Sequence, residues 1–396
     1  MLKQIEGSKA VAEAVAYCRP EVICAYPISP QTHIVEELSK IVKLGKLKNC
    51  EYLNVESEFA AMSVAIGASA TGARTYTATA SQGLLYMVEA VYNASGLGLP
   101  IVMTVANRAI GGPINIWNDH SDSMSQRDSG WIQMYAETNQ EATDLHVQAF
   151  RIAEELSLPV MVCMDGFILT HASEQVDVPE QDDVDKYLPP FTPRQVLDPA
   201  DPISIGAMVG PEAFMEVRYL LHARTLRALD VIPAASVAYS EIFHRESGGL
   251  IRPYFCDGAE TVVIALGSVL GTIKDVVDEQ RANGVSIGVL GIITFRPFPF
   301  GAVREALKNA KRVIIIEKSF ALGIGGIVTE NINTSIADLR IEKNTVIAGL
   351  GGRPITMNSL HQLFSDAING KLESLTFLDL DRELVSREIL REGVGP

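Results

Sequence analysis

The sequence predicts an α/β protein: a parallel sheet covered on both faces in the first half, then a second, smaller α/β set. Two observations carry this. Runs such as PIVMTVAN (100–107) and LPVMVCMDGF (158–167) are apolar almost throughout rather than alternating, the pattern of strands buried on both faces. These runs also alternate with longer segments at helical spacing, as crossovers between parallel strands require.

In order, EVICAYP (21–27) reads as a strand ending at a proline. Residues 30–44 follow as a helix, with Ile34, Val35, Leu38, Ile41 and Val42 at helical spacing. CEYLNV (50–55) is a second strand, and residues 57–72 form a small-residue helix stopped by Gly72. RTYTATA (74–80) is a strand and 81–95 a helix; the strand at 100–107 precedes a helix at 138–156 and the strand at 158–167. Proline and aspartate crowd residues 175–202, so this stretch reads as a solvated linker. A helix is expected over 211–244. The second set then holds strands at 260–268, 285–295, 312–319 and 345–352, with helices at 269–283 and 300–309. The last 25 residues read as a helix and an extended tail.

Composition excludes several classes. The net charge of −15 argues against nucleic acid and against an anionic membrane surface. No apolar run is long enough to span a bilayer, and the amphipathic N-terminus lacks the apolar core of a secretory signal. The five cysteines (Cys18, Cys24, Cys50, Cys163 and Cys256) form no C-x-x-C pair, so neither a zinc nor an iron–sulfur site is expected on this chain. Reduced thiols without a signal read as cytoplasmic.

Ligands of open parallel sheets bind beyond the carboxyl ends of the strands. There the sequence places Tyr26-Pro27-Ile28-Ser29-Pro30, then Glu56-Ser57-Glu58, Ser81-Gln82-Gly83, Asn107-Arg108, and Asp165-Gly166. Taken singly, each has an ordinary reading. Ser57 is a helix cap and Glu58 complements the helix dipole; an arginine after a strand is commonly a surface or ion-pair residue. Asp119, His120 and Asp122 read as a loop network rather than a metal site, since no second ligand cluster follows. Gly323-Ile324-Gly325-Gly326 lacks full dinucleotide-binding spacing and reads as a tight turn, and no P-loop occurs.

Taken together, YPISPQT (26–32), the block at 55–75, TATASQGLLYM (77–87), LPIVMTVANRA (99–109), the block at 113–133, NQEATD (139–144), the block at 158–171 and FRPFP (295–299) resemble the α subunit of the pyruvate:ferredoxin (2-oxoacid:acceptor) oxidoreductase family. The resemblance implies a pyrimidine-binding thiamine-fold domain over 1–235, a transketolase C-terminal-like domain over 245–370, and a tail over 371–396. It implies thiamine diphosphate shared with a β subunit. Mg²⁺ would sit on that partner, because the G-D-G motif that would hold it is absent here, and [4Fe-4S] clusters on a ferredoxin-like subunit. A γ-type subunit and a dimer of hetero-oligomers are implied as well.

The activity implied is oxidative decarboxylation of a 2-oxoacid with coenzyme A. Pyruvate-type substrates come first; aryl or branched-chain 2-oxoacids such as phenylglyoxylate are the alternatives. Glu58 corresponds to the carboxyl that hydrogen-bonds the aminopyrimidine ring and shares a proton with it. Arg108 corresponds to the substrate-binding arginine, whose planar fork suits a carboxylate. Ser29 would bond the same substrate. Tyr26, Pro27, Ile28, Ser81, Gln82 and Gly83 would line the cofactor pocket, and Asp119, His120 and Arg127 would serve in interface or structural ion pairs. A non-catalytic scaffold subunit would not need a carboxyl at Glu58; a free-standing dinucleotide-dependent dehydrogenase would need the missing glycine fingerprint.

Overall fold

The computed structural model describes residues 2–393. The chain opens with β1 (Leu2–Glu6) and α1 (Gly7–Tyr17). Strands β2 (Val22–Ala25), β3 (Glu51–Asn54), β4 (Thr75–Thr79) and β5 (Ile101–Asn107) then alternate with α2 (Thr32–Lys43), α3 (Glu58–Ala70), and the pair α4 (Ser81–Tyr86) and α5 (Val88–Leu97). After α6 (Ser121–Ser125) come β6 (Ile132–Tyr135), α7 (Asn139–Leu156), β7 (Val160–Asp165), β8 (Ser173–Asp177), α8 (Gln181–Tyr187) and the long α9 (Phe214–Phe243). The second set holds β9 (Ile251–Tyr254), β10 (Thr261–Ala265), α10 (Val269–Ala282), β11 (Ile287–Ile292), β12 (Thr294–Arg296), α11 (Phe300–Leu307), β13 (Arg312–Glu317), α12 (Ile327–Ser335), β14 (Glu342–Ile347), α13 (Met357–Ile368), β15 (Leu375–Phe377) and α14 (Arg382–Arg391).

These strands build a seven-stranded sheet in the order β12-β6-β7-β5-β4-β2-β3 and a six-stranded sheet in the order β15-β14-β13-β10-β11-β9. Both are parallel except for the antiparallel edge strands β12 and β9. The apolar runs that predicted strands occupy sheet interiors: every residue of β4, β5, β7 and β10 is buried. Among the described residues, no helix is long and apolar enough to cross a membrane.

The structure corrects the sequence reading in four places. The stretch 175–202 is not a linker throughout: β8 pairs with β1, and Val176, Val178, Val184 and Tyr187 are buried. Much of its charge decorates a strand and a short helix, Asp177 on β8 and Asp182, Asp183, Asp185 and Lys186 on α8. The helix expected over 81–95 is two helices meeting at Met87. The strand expected over 285–295 divides, so that β11 belongs to the second sheet while β12 pairs with β6 of the first. The stretch expected as a tail after residue 370 supplies β15, parallel to β14. The last of the expected tail, residues 394–396, lies outside the described residues.

The two sheets share a core. Met103, Val105, Tyr135 and Met161 from the first pack in one apolar cluster with Ile264, Leu290, Ile292 and Ile315 from the second. Partly buried ion pairs reinforce the junction: Lys274 donates to Glu137 at 2.6 Å and Arg252 to Glu141 at 2.7 Å.

Candidate active site

Strand register decides which loops meet. In the first sheet β4 lies between β2 and β5, with Thr79 opposite Val105, so the Ser81 turn and Arg108 leave the sheet side by side. Glu58 arrives from the other side as the first residue of α3, whose Ser57 cap accepts the Ala60 amide at 3.2 Å. A capped helix start holds the backbone there while the next side chain points back over the sheet end.

Glu58 is 7% exposed, yet its carboxylate takes no hydrogen bond or ion pair from any described residue. It lies against Gly83: a Cβ built on that glycine would sit 2.7 Å from Glu58 Oε1 and 2.6 Å from Thr79 Oγ1. Only glycine permits this approach, so the turn and the carboxyl are fitted to each other. A buried acid with free lone pairs is a group prepared for a polar ligand.

Arg108 is also 7% exposed. Its guanidinium donates to the Ser29 carbonyl at 3.0 Å and to the Asn115 carbonyl at 3.2 Å, which leaves part of its donor fork free. Burial lowers its pKa, with Asp122 acting in the opposite sense. The turn carrying Ser29 is braced from below: buried Gln31 donates to the Ala78 carbonyl at 2.8 Å and accepts from the Ile28 amide at 3.2 Å. Ser29 itself is exposed, as are Tyr26 and Pro27. The structure therefore brings Ser29, Arg108, Ser81, Gln82, Gly83 and Glu58 to the same sheet end, with Tyr26, Pro27 and Ile28 on its rim.

The stretch Asp119-His120-Asp122 divides among three tasks. Asp119 accepts from the Gly351 amide at 3.0 Å, His120 meets Asp165 at 2.6 Å, and Asp122 accepts the backbone amides of Ser81 and Arg108. Among the described residues, no three His, Cys, Asp or Glu side chains come together in a way that could hold a metal ion. Arg127 is half-exposed, donating to the Met124 carbonyl at 2.9 Å and lying 3.9 Å from Asp128.

Comparison with known proteins gives the family. The model for the pyruvate flavodoxin/ferredoxin oxidoreductase thiamine-diphosphate-binding domain matches residues 13–235, and that for pyruvate:ferredoxin oxidoreductase core domain II matches residues 259–360. The chain belongs to the pyruvate flavodoxin/ferredoxin oxidoreductase family. Within the family, pyruvate synthase subunit PorA of Methanosarcina barkeri is 49% identical, covering 96% of this chain and 97% of its own. Ketoisovalerate oxidoreductase subunit VorA of Pyrococcus abyssi is 39% identical, over 92% and 93%. Among solved structures, a 2-oxoglutarate:ferredoxin oxidoreductase from Magnetococcus marinus, with 2-oxoglutarate, coenzyme A and succinyl-CoA bound, matches with a TM-score of 0.69 at 18% identity. That match covers 93% of this chain and 65% of that one. A split-gene transketolase, an inactive β4 tetramer, gives a TM-score of 0.55 at 13% identity, covering 93% of this chain and 100% of that one. At these identities the two structures speak to the fold.

This oxidoreductase chain holds two features that sequence reasoning missed. One is the hub at Asp122, which read as part of a loop network and not as an acceptor shared by two loops of the site. The other is a buried cluster joining the two sheets beside the site. Asp165, at the end of β7, accepts Lys318 Nζ at 2.9 Å, the Ser268 amide at 3.1 Å, and His120 at 2.6 Å. Burial pushes the Asp165 pKa up, but Lys318 and His120 override it and hold the carboxyl well below the usual range. Lys318 and Ser268 follow β13 and β10 of the second sheet, so a single carboxylate fastens that sheet to the site loop. Nothing in the spacing of these residues signals their meeting; only the fold does.

Proposed function

We propose that this chain is the α subunit of a pyruvate-type 2-oxoacid oxidoreductase and contributes the aminopyrimidine end of the thiamine diphosphate site together with the substrate's carboxylate clamp. The observation that carries the reading is the buried, unpaired Glu58 carboxylate against Gly83, at the same sheet end as Arg108.

Bound thiamine diphosphate would supply the carbanion chemistry that a 2-oxoacid needs to lose CO₂. The residues of this chain do the rest. Glu58 holds or shares a proton at the facing ring nitrogen, which its free lone pairs and burial allow. Gly83 and Gln82 wall the pocket. Arg108 pairs with the substrate carboxylate through the donors that Ser29 and Asn115 leave free, and the Ser29 hydroxyl bonds the same 2-oxoacid head. The reaction balances as 2-oxoacid plus coenzyme A giving acyl-CoA, CO₂, a proton and two electrons, which leave to a ferredoxin-type acceptor.

Partners complete the site. The diphosphate and its Mg²⁺ fall to a β subunit, iron–sulfur clusters to a ferredoxin-like subunit, and a γ-type subunit joins them. Large apolar side chains on the rim support docking there: Tyr86 is 62% exposed and Ile114 81%, with Phe59, Ile116 and Trp117 also open. A soluble, cytoplasmic setting is consistent with low-potential electron release.

A second reading, a branched-chain 2-oxoacid, is favoured by the VorA relative, since the same head group is recognised and only pocket shape selects the side chain. The test is viologen-dye reduction by the purified complex on a panel of 2-oxoacids. Pyruvate should give the highest kcat/KM; a branched substrate winning would favour the second reading, and no 2-oxoacid turnover would overturn both.

A further inference from the structure

One buried carboxylate outside the roles given above connects the two loops of the site. Asp122 lies in the first turn of α6 and is fully buried. It forms no ion pair among the described residues; four N–H groups surround it instead. Its Oδ2 accepts the Ser81 amide at 2.9 Å and the Arg108 amide at 3.0 Å. Its Oδ1 accepts the Asn107 side-chain amide at 2.8 Å and the Ser123 amide at 2.7 Å. Burial raises its pKa to about 6 against the opposing pull of these bonds.

Two of those bonds anchor the backbone where each loop starts: the turn carrying Gln82 and Gly83, and the residue carrying the guanidinium. The loops also touch. The Ser81 hydroxyl donates to the Ala109 carbonyl at 2.5 Å, and the Gln82 amide nitrogen lies 2.0 Å from where a Gly111 Cβ would be. Ser81 has φ of 48°, a left-handed conformation that costs a non-glycine residue roughly 1–2 kcal/mol and persists only where its surroundings over-determine it. The Asp122 and Ala109 bonds do so here.

We propose that Asp122 is a positioning residue that sets the Ser81 turn and Arg108 relative to one another, so that one group fixes both the cofactor wall and the substrate clamp. The proposal rests on the roles assigned above to Gly83 and Arg108. Only a carboxylate suits the position. Its surroundings are all donors, and an asparagine would turn its own NH₂ toward two of them.

The test compares Asp122→Asn with Arg108→Ala in the assembled complex. Two constants are read: KM for the 2-oxoacid, and the half-saturation for thiamine diphosphate by intrinsic fluorescence titration of the cofactor-free complex. Asp122→Asn should raise both by about tenfold or more, as buried donors lose their acceptor, whereas Arg108→Ala should raise KM alone. A folded Asp122→Asn that shifts only one constant, or neither, while Arg108→Ala still raises KM, overturns the proposal and leaves the functional reading standing. An unchanged KM in Arg108→Ala removes the functional reading and the proposal with it. Should Asp122→Asn fail to assemble, Asn107→Ala removes one of the four donors. It should move both constants by about threefold in the same direction, and no movement of either overturns the proposal.

Discussion

The Arg108 guanidinium donates to the Ser29 carbonyl at 3.0 Å, reaching across the end of β4, which separates their two strands. The clamp is thus tied to the backbone of the 26–30 turn, not to the serine side chain. Replacing Ser29 with alanine should leave the clamp in place and remove one neutral hydrogen bond to substrate, lowering kcat/KM by about 1 kcal/mol, or roughly fivefold. Arg108→Lys keeps the charge but loses the planar fork and its bond to the turn. It should lower kcat/KM by about 3 kcal/mol, roughly a hundredfold, mostly through KM. Steady-state kinetics of both variants checks this; equal losses would separate the charge from the geometry in the wrong direction.

Gly83→Ala should injure the site without injuring the fold. The added methyl would fall 2.7 Å from Glu58 Oε1 and 2.6 Å from Thr79 Oγ1, and the carboxyl is the freer of the two to move. Thiamine diphosphate affinity should fall by about tenfold or more, while the melting temperature moves by only a few degrees. A wild-type affinity would mean that Glu58 does not face the cofactor there.

Much of this site was legible before the fold. The buried parallel strands announced themselves as unbroken apolar runs, and the loops after them held Ser29, Glu58, Ser81 and Arg108. What the sequence did not disclose was contact between distant loops. Asp122 sits in a polar stretch whose residues look like solvated loop or a metal site, and only the packing of α6 against α4 and β5 makes it a hub. The β8–α8 stretch was misread for a related reason: its acidic composition outweighed the few apolar residues, Val176, Val184 and Tyr187, that dock it. Lys318 gave no signal at all, since a lysine after a strand is ordinarily exposed.

Lys318 yields the largest stability prediction. It is 5% exposed and pairs with the equally buried Asp165 at 2.9 Å. Lys318→Met removes that carboxylate's cationic partner and should cost about 3 kcal/mol, near the low end for breaking a buried pair because the Ser268 amide and hydroxyl still donate to it. Lys311 pairs with Glu260 at 2.6 Å, but the two are 72% and 57% exposed, so Lys311→Met should scarcely move the denaturation midpoint. Urea unfolding of the two variants distinguishes them; similar losses would mean that burial does not govern the pair.

A buried histidine gives a pH prediction. His146 donates from Nδ1 to the Ala142 carbonyl at 2.6 Å, so its Nε2 accepts the Thr104 hydroxyl at 2.5 Å, and Tyr76 donates to Thr104 at 2.6 Å. Burial lowers its pKa from 6.5 to about 4. The unfolded chain therefore binds a proton that the folded chain refuses between those values. The neutral imidazole's contribution is fully present above about pH 6.5 and is lost as pH falls toward 4, by up to ~3 kcal/mol. His146→Gln should be less stable at pH 7 but show a shallower loss of stability over that window. An unchanged slope would show that His146 does not titrate on unfolding.

The central claim is that this chain's Glu58 acts on the aminopyrimidine end of thiamine diphosphate. The most direct measurement is deuterium exchange at the thiazolium carbon of cofactor bound to the assembled complex, in wild type and Glu58→Gln. The cofactor should still bind the variant, and exchange should slow by about a hundredfold or more, the usual loss when a positioned proton-sharing group is removed. Exchange at the wild-type rate in the cofactor-loaded variant would contradict the account.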